Sequence, residues 1–377
     1  MKNAYLRNGG GKMPQLDRIK IKGFKSIKHS DVKLSSLNIL IGQNGAGKSN
    51  FISFFKMLNE MVNERLQNYV TKSGGSNALL YFGQKHTDSI DAYLEFGKNA
   101  YEFVLEPTIN NQLFFAKEYI SYQDQSDPKP WEDYLGSGHK ETSLIRVSKN
   151  KQGQGYSVAD QVLDSLKSWR VYHFHDTSES SKIKGNCDIN DNRILRPDAS
   201  NLAAFLYLLK LNHFEYYSYI LKTVQLIAPF IEDFILEPAK LNSDIIRLEW
   251  KHKESDNYFD ISQLSDGTIR TICIATLLLQ PDLPSCILID EPELGLHPYA
   301  INIIGSLFKS VSKKTQIIAS TQSLLLVDQL EPEDLIVVDY KNDQSVLKRP
   351  TSEELQDWLE VYSLGELWEK NVLGGRP

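Results

Sequence analysis

The chain has 377 residues, of which 41% are hydrophobic and 24% are charged. This mixture is typical of a folded globular protein and excludes a disordered or collagen-like chain. The formal net charge of -6 excludes a global positive field that would attract nucleic acid, so any polyanion must meet a local patch.

Cysteine content and apolar run length predict the compartment. Cys187, Cys273 and Cys286 are too few and too scattered for a disulfide framework or a CxxC metal site. The first residues lack the apolar run of a secretory signal, and no stretch approaches the ~20 apolar residues that span a bilayer. We therefore expect a cytoplasmic protein with no membrane partner, preceded by a flexible N-terminal extension over residues 1–12.

The first part of the chain predicts strands around a glycine-rich turn. Residues 16–23 alternate apolar and charged side chains, which is typical of a half-buried strand, and residues 31–34 predict a second one. Residues 37–41 form an apolar run, as expected of a strand buried on both faces. Apolar residues at spacings of three and four between Phe51 and Leu66 then predict an amphipathic helix.

The middle and the end of the chain predict further strands and helices. Short strands are predicted at residues 79–82, 90–96, 101–105 and 113–120, in an antiparallel meander. Polar residues 123–157 predict an exposed loop. There follow a predicted helix at 158–169, a strand at 170–175, a helical pair near 200–227, strands near 245–250, a helix from 266, and apolar strands at 286–289 and 316–320.

One motif predicts phosphate chemistry. The eight residues from Gly42 to Ser49, here called the phosphate loop, fit the pattern GxxxxGK[ST] between a buried strand and a helix. Glycines allow backbone N–H groups to turn around phosphate oxygens, and the helix offers its positive N-terminal end. We expect Lys48 to reach the β- and γ-phosphates as a catalytic group and Ser49 to coordinate Mg²⁺. The predicted nucleotide-binding residues of this segment are Gly42, Gln43, Asn44, Gly45, Ala46, Gly47, Lys48, Ser49 and Asn50.

A pair of acids predicts the second half of the same site. Asp290 and Glu291 follow the apolar strand at residues 286–289. Asp290 is the predicted Mg²⁺ carboxylate, because Mg²⁺ prefers oxygen ligands, and Glu291 is the predicted base that orients or deprotonates the attacking water. Upstream, the helix start Ser265-Asp266-Gly267 is a further candidate anion site.

The ordered set of phosphate loop, LSDGT, ILIDEPE and the Thr321-Gln322-Ser323 segment resembles the ATP-binding-cassette (ABC) ATPases. The resemblance implies ATP and Mg²⁺ as cofactors and a homodimer that closes over two ATP molecules. It implies that Ser265, Asp266 and Gly267, the signature segment, contact the nucleotide of the opposite subunit. It also implies that Gln322 contacts nucleotide and that Gln84 contacts Mg²⁺.

Three positions depart from the family pattern. Gln322 stands where many relatives carry a switch histidine, and its amide can donate a hydrogen bond but cannot titrate. Asp266 replaces a glycine, which places a carboxylate near incoming phosphate, and His297 replaces a usual aspartate.

Within that superfamily the chain resembles the RecF, SMC and OLD branch. This resemblance rests on the opening at residues 21–27, the run Asp290–Pro298 and the tail at 363–376. The tail resembles stand-alone bacterial ATPases found beside defence genes. The implied fold class is α/β, a P-loop NTPase with an ABC-type head, mixed sheet, antiparallel β subdomain and helical insertion. The predicted head covers residues 13–377, with core lobes at 13–122 and 244–350, an insertion and helical region at 123–243, and a C-terminal helical piece at 351–377.

Two functions remain open at this stage. One, which the family resemblance favours, is an ATPase of anti-phage defence that controls a separate effector such as a nuclease. The other is a RecF- or SMC-like clamp in DNA repair, for which the basic band of Arg18, Lys20, Lys22, Lys25 and Lys28 could track a phosphate backbone or be a solvated strand face. A transporter motor is disfavoured because Asp290 follows Lys48 by 242 positions. His173 and His175 could ligate metal, although a structural pair near a strand end is favoured.

Overall fold

A computed structural model of the chain describes residues 15–123, 131–150 and 157–376. The extension predicted at residues 1–12 lies outside the described residues. The chain divides into two compact units. The first contains the chain up to residue 34 with residues 53–169 and 341–346, and the second contains residues 35–52, 170–340 and the chain from 347 onward.

The strands, in chain order, are β1 (Arg18–Phe24), β2 (Ile27–Lys33), β3 (Leu37–Ile41), β4 (Ile90–Phe96), β5 (Asn99–Pro107), β6 (Leu113–Tyr122), β7 (Trp131–Gly136), β8 (Arg170–Tyr172), β9 (Cys187–Asp188), β10 (Ile231–Ile235), β11 (Pro238–Ala239), β12 (Asn242–Ile246), β13 (Glu249–His252), β14 (Tyr258–Asp260), β15 (Cys286–Asp290), β16 (Gln316–Ser320), β17 (Leu335–Lys341) and β18 (Gln344–Lys348).

The α-helices are α1 (Lys48–Val62), α2 (Leu66–Lys72), α3 (Ser76–Leu79), α4 (Leu144–Asn150), α5 (Val158–Ser168), α6 (Leu202–Asn212), α7 (Phe214–Ile227), α8 (Asp266–Leu279), α9 (Pro298–Val311), α10 (Leu324–Val327), α11 (Ser352–Leu359) and α12 (Leu364–Glu369). Among the described helices, none has the length and apolarity needed to cross a bilayer.

The first unit is built on an antiparallel sheet with the order β2-β1-β4-β5-β6-β7. Side chains of β4 alternate between buried and half-buried, which is the period-two pattern of a sheet with one covered face. Aromatic side chains fill that face. Phe24 meets Phe54 edge-on at 5.2 Å between ring centroids, and Trp169 packs on Phe55 and Phe96.

The second unit is built on a sheet in which the strands follow the order β17-β3-β16-β15-β8. Strands β17, β3, β16, β15 and β8 pair in parallel. β3 and β16 are buried along their whole length, as is β15 except for Asp290. Their largely apolar sequences match a sheet that is covered on both faces. Parallel strands place all their carboxyl ends at one edge, and this edge holds the phosphate loop.

Two segments differ from the sequence expectation. The strand predicted at residues 79–82 is wrong: Leu79 ends the short helix α3, and the chain then makes one isolated bridge, between Leu80 and Phe24, before a turn in which Phe82 has φ +53°. The loop predicted at 123–157 contains β7, which pairs with β6 at the sheet edge, and α4. Hydrophobic patterning misses β7 because Leu135 is its one buried side chain.

Candidate functional site

The phosphate loop connects β3 to α1 in the second unit, and its backbone requires glycine. Gly42, Gly45 and Gly47 have φ angles of +152°, +82° and +112°, a region that L-residues rarely adopt. A Cβ on Gly42 would also collide with the carbonyl oxygen of Val338 on β17. Gln43, Asn44 and Gly45 are exposed, so the tip of the loop is accessible.

Lys48 lies beneath this loop and is 5% exposed. Its Nζ donates to the carbonyl oxygens of Gly42 at 2.5 Å and Gln43 at 3.2 Å. Burial lowers the pKa of the Lys48 ammonium, and the carboxylates of Glu291, Asp290 and Glu293 oppose that shift. The lysine of the loop therefore lies within electrostatic reach of the acids that follow β15.

Strand register places the predicted magnesium acid beside the loop. Asp290 of β15 is paired with Ser320 of β16, and Ser320 is paired with Leu40 of β3, two residues before Gly42. The Ser320 hydroxyl donates to Oδ1 of Asp290, which fixes the orientation of this carboxylate. Three neighbouring strands thus end at the same place, as the sequence predicted for the loop and the acid.

Glu291 has an unusual backbone. Its φ angle is +44°, which is uncommon for a residue other than glycine, asparagine or aspartate and marks local strain. Its amide donates to the carbonyl oxygen of Ser320 at 3.1 Å, which holds this conformation. Gln322 Nε2 donates to Oε1 of Glu291, so the predicted base and the residue at the switch position contact each other.

Glu293 is a site residue that the sequence reasoning missed. Its Oε1 accepts hydrogen bonds from the Thr321 hydroxyl at 2.7 Å and from the backbone N–H of Gln322 at 2.8 Å. Its Oε2 is buried without a hydrogen-bond partner among the described residues. Burial raises the pKa of Glu293. The available signal was the second glutamate of the DEPE string, two residues after Glu291.

The signature segment begins α8 in the same unit. Ser265 is the N-cap of α8, and its Oγ accepts from the Thr268 amide at 3.1 Å. Gly267 packs closely on the chain after β15, because an added Cβ would lie 2.6 Å from the Gly295 carbonyl oxygen. The exposed Asp266 carboxylate lies 3.6 Å from Lys184 Nζ, which offsets part of the negative charge that departs from the family pattern.

The C-terminal segment braces the phosphate loop from the β17 side. Gly375 is buried, with φ +57°, and an added Cβ would lie 3.0 Å from the Val338 carbonyl oxygen and 3.3 Å from the Cα of Gly42. The indole Nε1 of Trp368 donates to the Gly375 carbonyl oxygen at 2.5 Å and fixes this segment. Sequence reasoning did not place the tail at the site.

Other predicted residues lie elsewhere. Gln84 belongs to the first unit, where its side chain donates to Ser76 Oγ at 2.8 Å, and its Mg²⁺ role stays a prediction. His297 is the N-cap of α9. His175 donates its Nε2 proton to the Asp290 carbonyl oxygen at 2.7 Å, a structural use.

The basic band is partly neutralised within the first unit. Arg18 and Lys22 form ion pairs with Asp31 at 2.6 Å and Asp91 at 3.1 Å. Lys25 is half-buried and donates to the Ser53 hydroxyl, and burial lowers its pKa. This pattern favours the solvated strand face over a phosphate track, since paired cations have less charge to offer a polyanion.

The donor set at the edge of the sheet fits a magnesium nucleotide. Lys48 presents a buried cation that two loop carbonyls hold, and such an ammonium can exchange those partners for phosphate oxygens. Ser49 and Asp290 supply a hydroxyl and a carboxylate, which are the hard oxygen ligands that Mg²⁺ prefers. The residues present therefore fit both groups.

Comparisons with known proteins identify the family of the chain and structures with a similar fold. The family model described as "AAA domain, putative AbiEii toxin, Type IV TA system" matches residues 37–328, well over half of the chain. The Smc head in a crystal structure with the C-winged helix domain of ScpA is 15% identical, with a TM-score of 0.55 over 91% of this chain and 100% of that one. A search of curated proteins found no match.

A second solved structure, the Smc head domain with an extended coiled coil bound to the C-terminal domain of ScpA from Pyrococcus furiosus, is also 15% identical. It has a TM-score of 0.50 and covers 92% of this chain and 99% of that one. The fold is that of a P-loop domain with the head architecture of SMC proteins. The chain belongs to the AAA domain family whose model it matches. The predicted resemblance to the RecF, SMC and OLD branch and the predicted fold class are confirmed.

Proposed function

We propose that this protein binds and hydrolyses MgATP at the carboxyl ends of the parallel strands in the second unit. We also propose that two copies close over two ATP molecules. The observation that carries the proposal is the convergence of Lys48, which follows β3, with Asp290 and Glu291 at the end of β15. These two parallel strands flank β16, and Gln322, which follows β16, contacts Glu291. A cation, a magnesium carboxylate and a general base are the parts that phosphoryl transfer to water requires.

Each group has a role that its surroundings support. The phosphate loop would bind the phosphates through its backbone amides, with Lys48 turning from the loop carbonyls to phosphate oxygen. Ser49 and Asp290 would hold Mg²⁺, which neutralises phosphate charge when bound. Ser320 orients Asp290 through its hydrogen bond to the carboxylate. Gln84 remains a candidate for a further Mg²⁺ contact.

Glu291 is the proposed base for the attacking water. Its strained backbone aims the side chain independently of the strand pleat, and Gln322 holds its carboxylate. The amide of Gln322 has two N–H donors, so it can contact both Glu291 and a phosphate oxygen. Glu293 positions Gln322 by accepting its backbone N–H.

The signature segment supports closure by a second copy. Ser265 and Asp266 are exposed at the start of α8, and the helix N-terminus favours an incoming anion. Lys184 offsets the Asp266 charge that would otherwise repel phosphate. We propose that this segment completes the nucleotide site of the partner copy.

Replacement of Glu291 by glutamine tests the cycle. The variant keeps a hydrogen-bonding side chain but loses the base, so it is expected to bind ATP, stop hydrolysis and accumulate as a dimer in light scattering. The matched control for Glu291→Gln is Glu360→Gln at an exposed position. Lys48→Ala is expected to lose MgATP binding. Retained affinity in Lys48→Ala would refute the loop's role, and a Glu291→Gln monomer with bound ATP would refute closure.

We further propose that the nucleotide-dependent dimer regulates a separate effector in bacterial anti-phage defence. The matched family description, which names an AbiEii toxin of a toxin–antitoxin system, supports this setting. The product of an adjacent gene, a nuclease in the simplest case, is expected to co-purify with ATP-loaded Glu291→Gln and not with Lys48→Ala. Equal recovery with both variants would contradict nucleotide control. The DNA-clamp alternative gains no support from Arg18 and Lys22, which already pair with acids.

A further inference from the structure

Arg270 joins three segments of the second unit around the proposed site. It lies on α8, five residues after Ser265, and is half-buried. Its guanidinium donates to the carbonyl oxygens of Leu294 at 2.7 Å, His175 at 2.9 Å and Phe174 at 3.2 Å. A fourth contact reaches the Thr177 hydroxyl at 3.3 Å. One side chain therefore ties the signature helix to the chain after β15 and to the chain after β8.

Both glycines near Arg270 serve this connection. Gly267 of the signature segment packs on the carbonyl oxygen of Gly295, where an added Cβ would lie only 2.6 Å away. At Gly295, with φ +72°, an added Cβ would lie 2.4 Å from Arg270 Nη1 and collide with it. The signature helix and the 294–295 segment are thus in direct contact, and Arg270 fills the space that a side chain at position 295 would need.

The chain after β8 continues the connection to the magnesium acid. Arg270 holds the His175 carbonyl oxygen, and the His175 ring donates from Nε2 to the Asp290 carbonyl oxygen at 2.7 Å. Asp290 is thus held from two sides, by His175 at its backbone and by Ser320 at its carboxylate. A displacement of α8 has a hydrogen-bonded route to the backbone of Asp290 and Glu291.

We propose that Arg270 is a positioning residue that couples the signature segment of one copy to that copy's own acids. When the signature segment closes on the partner's nucleotide, α8 presses against the 294–295 segment. The same movement reaches Asp290 through the hydrogen bonds of Arg270 and His175. Hydrolysis in one site is thereby made dependent on occupancy of the other. This inference rests on the proposed function, and it assigns to Arg270 a regulatory task within it.

Arg270→Lys tests the coupling because lysine keeps the charge but cannot span separate carbonyl groups with a planar fork. Gly295→Ala tests it independently, since its Cβ would displace the unaltered arginine. Exposed Arg247→Lys and Gly97→Ala, which has φ +61° and no neighbour within 4 Å, are the matched controls.

The first readout uses no nucleotide. Hydrogen–deuterium exchange is expected to rise in the peptides that cover residues 172–177 and 286–296 in Arg270→Lys and Gly295→Ala, and not in the controls. Unchanged exchange across 286–296 would overturn the proposal. If wild-type protein proved unable to hydrolyse ATP, the proposed function would fail, and the exchange result would still decide whether the link exists.

The second readout separates coupling from general damage. Both variants are expected to keep an MgATP affinity within about twofold of wild type, because the altered contacts do not touch the nucleotide. Their turnover is expected to fall at least about tenfold, because hydrogen bonds of a charged group that position the acids are lost. The double variant should be no slower than the slower single variant. Affinity that falls in parallel with turnover, or additive effects, would contradict a single route.

His175 provides a conservative rescue. Glutamine can still donate to the Asp290 carbonyl oxygen, whereas leucine cannot. We expect His175→Gln to retain most of the turnover and His175→Leu to match Arg270→Lys, with unchanged MgATP affinity in both. Equal loss in the glutamine and leucine variants would exclude the hydrogen bond as the connecting step.

Discussion

Glu291 combines local strain with a defined partner. A positive φ at a non-glycine residue costs of order 1–3 kcal/mol and persists only where the surroundings determine it. Here the Ser320 carbonyl oxygen holds the Glu291 amide and Gln322 holds its carboxylate. The strain is thus concentrated at the residue that we propose to act on water.

Gln322→Ala should separate catalysis from binding. The substitution removes the amide that contacts Glu291, so we expect turnover to fall at least about tenfold while MgATP affinity stays within about threefold. Steady-state kinetics with fluorescence titration measures both quantities. Gln356→Ala, at an exposed position of α11, is the control. A variant with wild-type turnover would remove Gln322 from the site.

Glu293→Gln should change how stability depends on pH. Burial raises the pKa of Glu293, so the folded protein bears an unfavourable buried charge once the pH rises through that raised value. Glutamine keeps an oxygen for Thr321 and Gln322 and carries no charge. Nucleotide-free Glu293→Gln should therefore gain thermal stability over wild type at ~pH 8 and lose that advantage at ~pH 5.

Thermal unfolding of both proteins in the two buffers makes the comparison. Glu254→Gln, at an exposed position, should show no such dependence. A stability difference that is larger in the acidic buffer would have the opposite sign and would contradict a raised pKa.

At the scale of elements, the tail after α12 packs against both the phosphate loop and β17. Trp368 donates to the Gly375 carbonyl oxygen, and a Cβ added at Gly375 would lie within 3.3 Å of atoms of Val337, Val338 and Gly42. Because Gly42 itself has no room for a Cβ against Val338, the start of the loop is held between two backbones. The geometry of the loop therefore depends on a segment more than 300 residues away in sequence.

Gly375→Ala should weaken nucleotide binding. The added Cβ would push on Gly42, so we expect MgATP affinity to fall roughly tenfold, as for a local distortion of about 1.4 kcal/mol. Gly97→Ala has a similar φ, +61° against +57°, but no atom near the added Cβ, so it controls for backbone strain alone. Calorimetric titration compares the two. Equal affinity in both variants would show that the tail does not support the loop.

At the scale of the whole molecule, a shared site predicts complementation between two inactive variants. Lys48→Ala disables the phosphate loop of its own copy. Ser265→Arg blocks the signature segment, which completes the nucleotide site of the partner copy. An equal mixture forms heterodimers with one intact site, so ATP-dependent dimers should appear in light scattering, whereas turnover should stay low because the coupling through Arg270 requires both sites to be occupied. Each variant alone is the control. The absence of an ATP-dependent dimer after mixing would contradict a site built from two copies.

Sequence patterns predicted the local parts of this site well. β3 and β16 agree with the expected residues, and the phosphate loop lies between a buried strand and a helix. The edge strand β7 was missed because solvent covers most of its side chains, and residues 79–82 were mistaken for a strand because a short apolar run does not distinguish a strand from a helix end.

The amino-acid sequence by itself determined the elements and motifs whose information is contiguous: the glycines of the phosphate loop, the apolar strand that ends at Asp290, and the capped start of α8. Their physical cause is local, since backbone freedom and hydrophobic period act over a few residues. The tertiary structure alone decided which distant groups meet. Gln322 on Glu291, Arg270 on the 174–177 segment, and Gly375 on Gly42 follow from strand register and close packing, which no local pattern encodes.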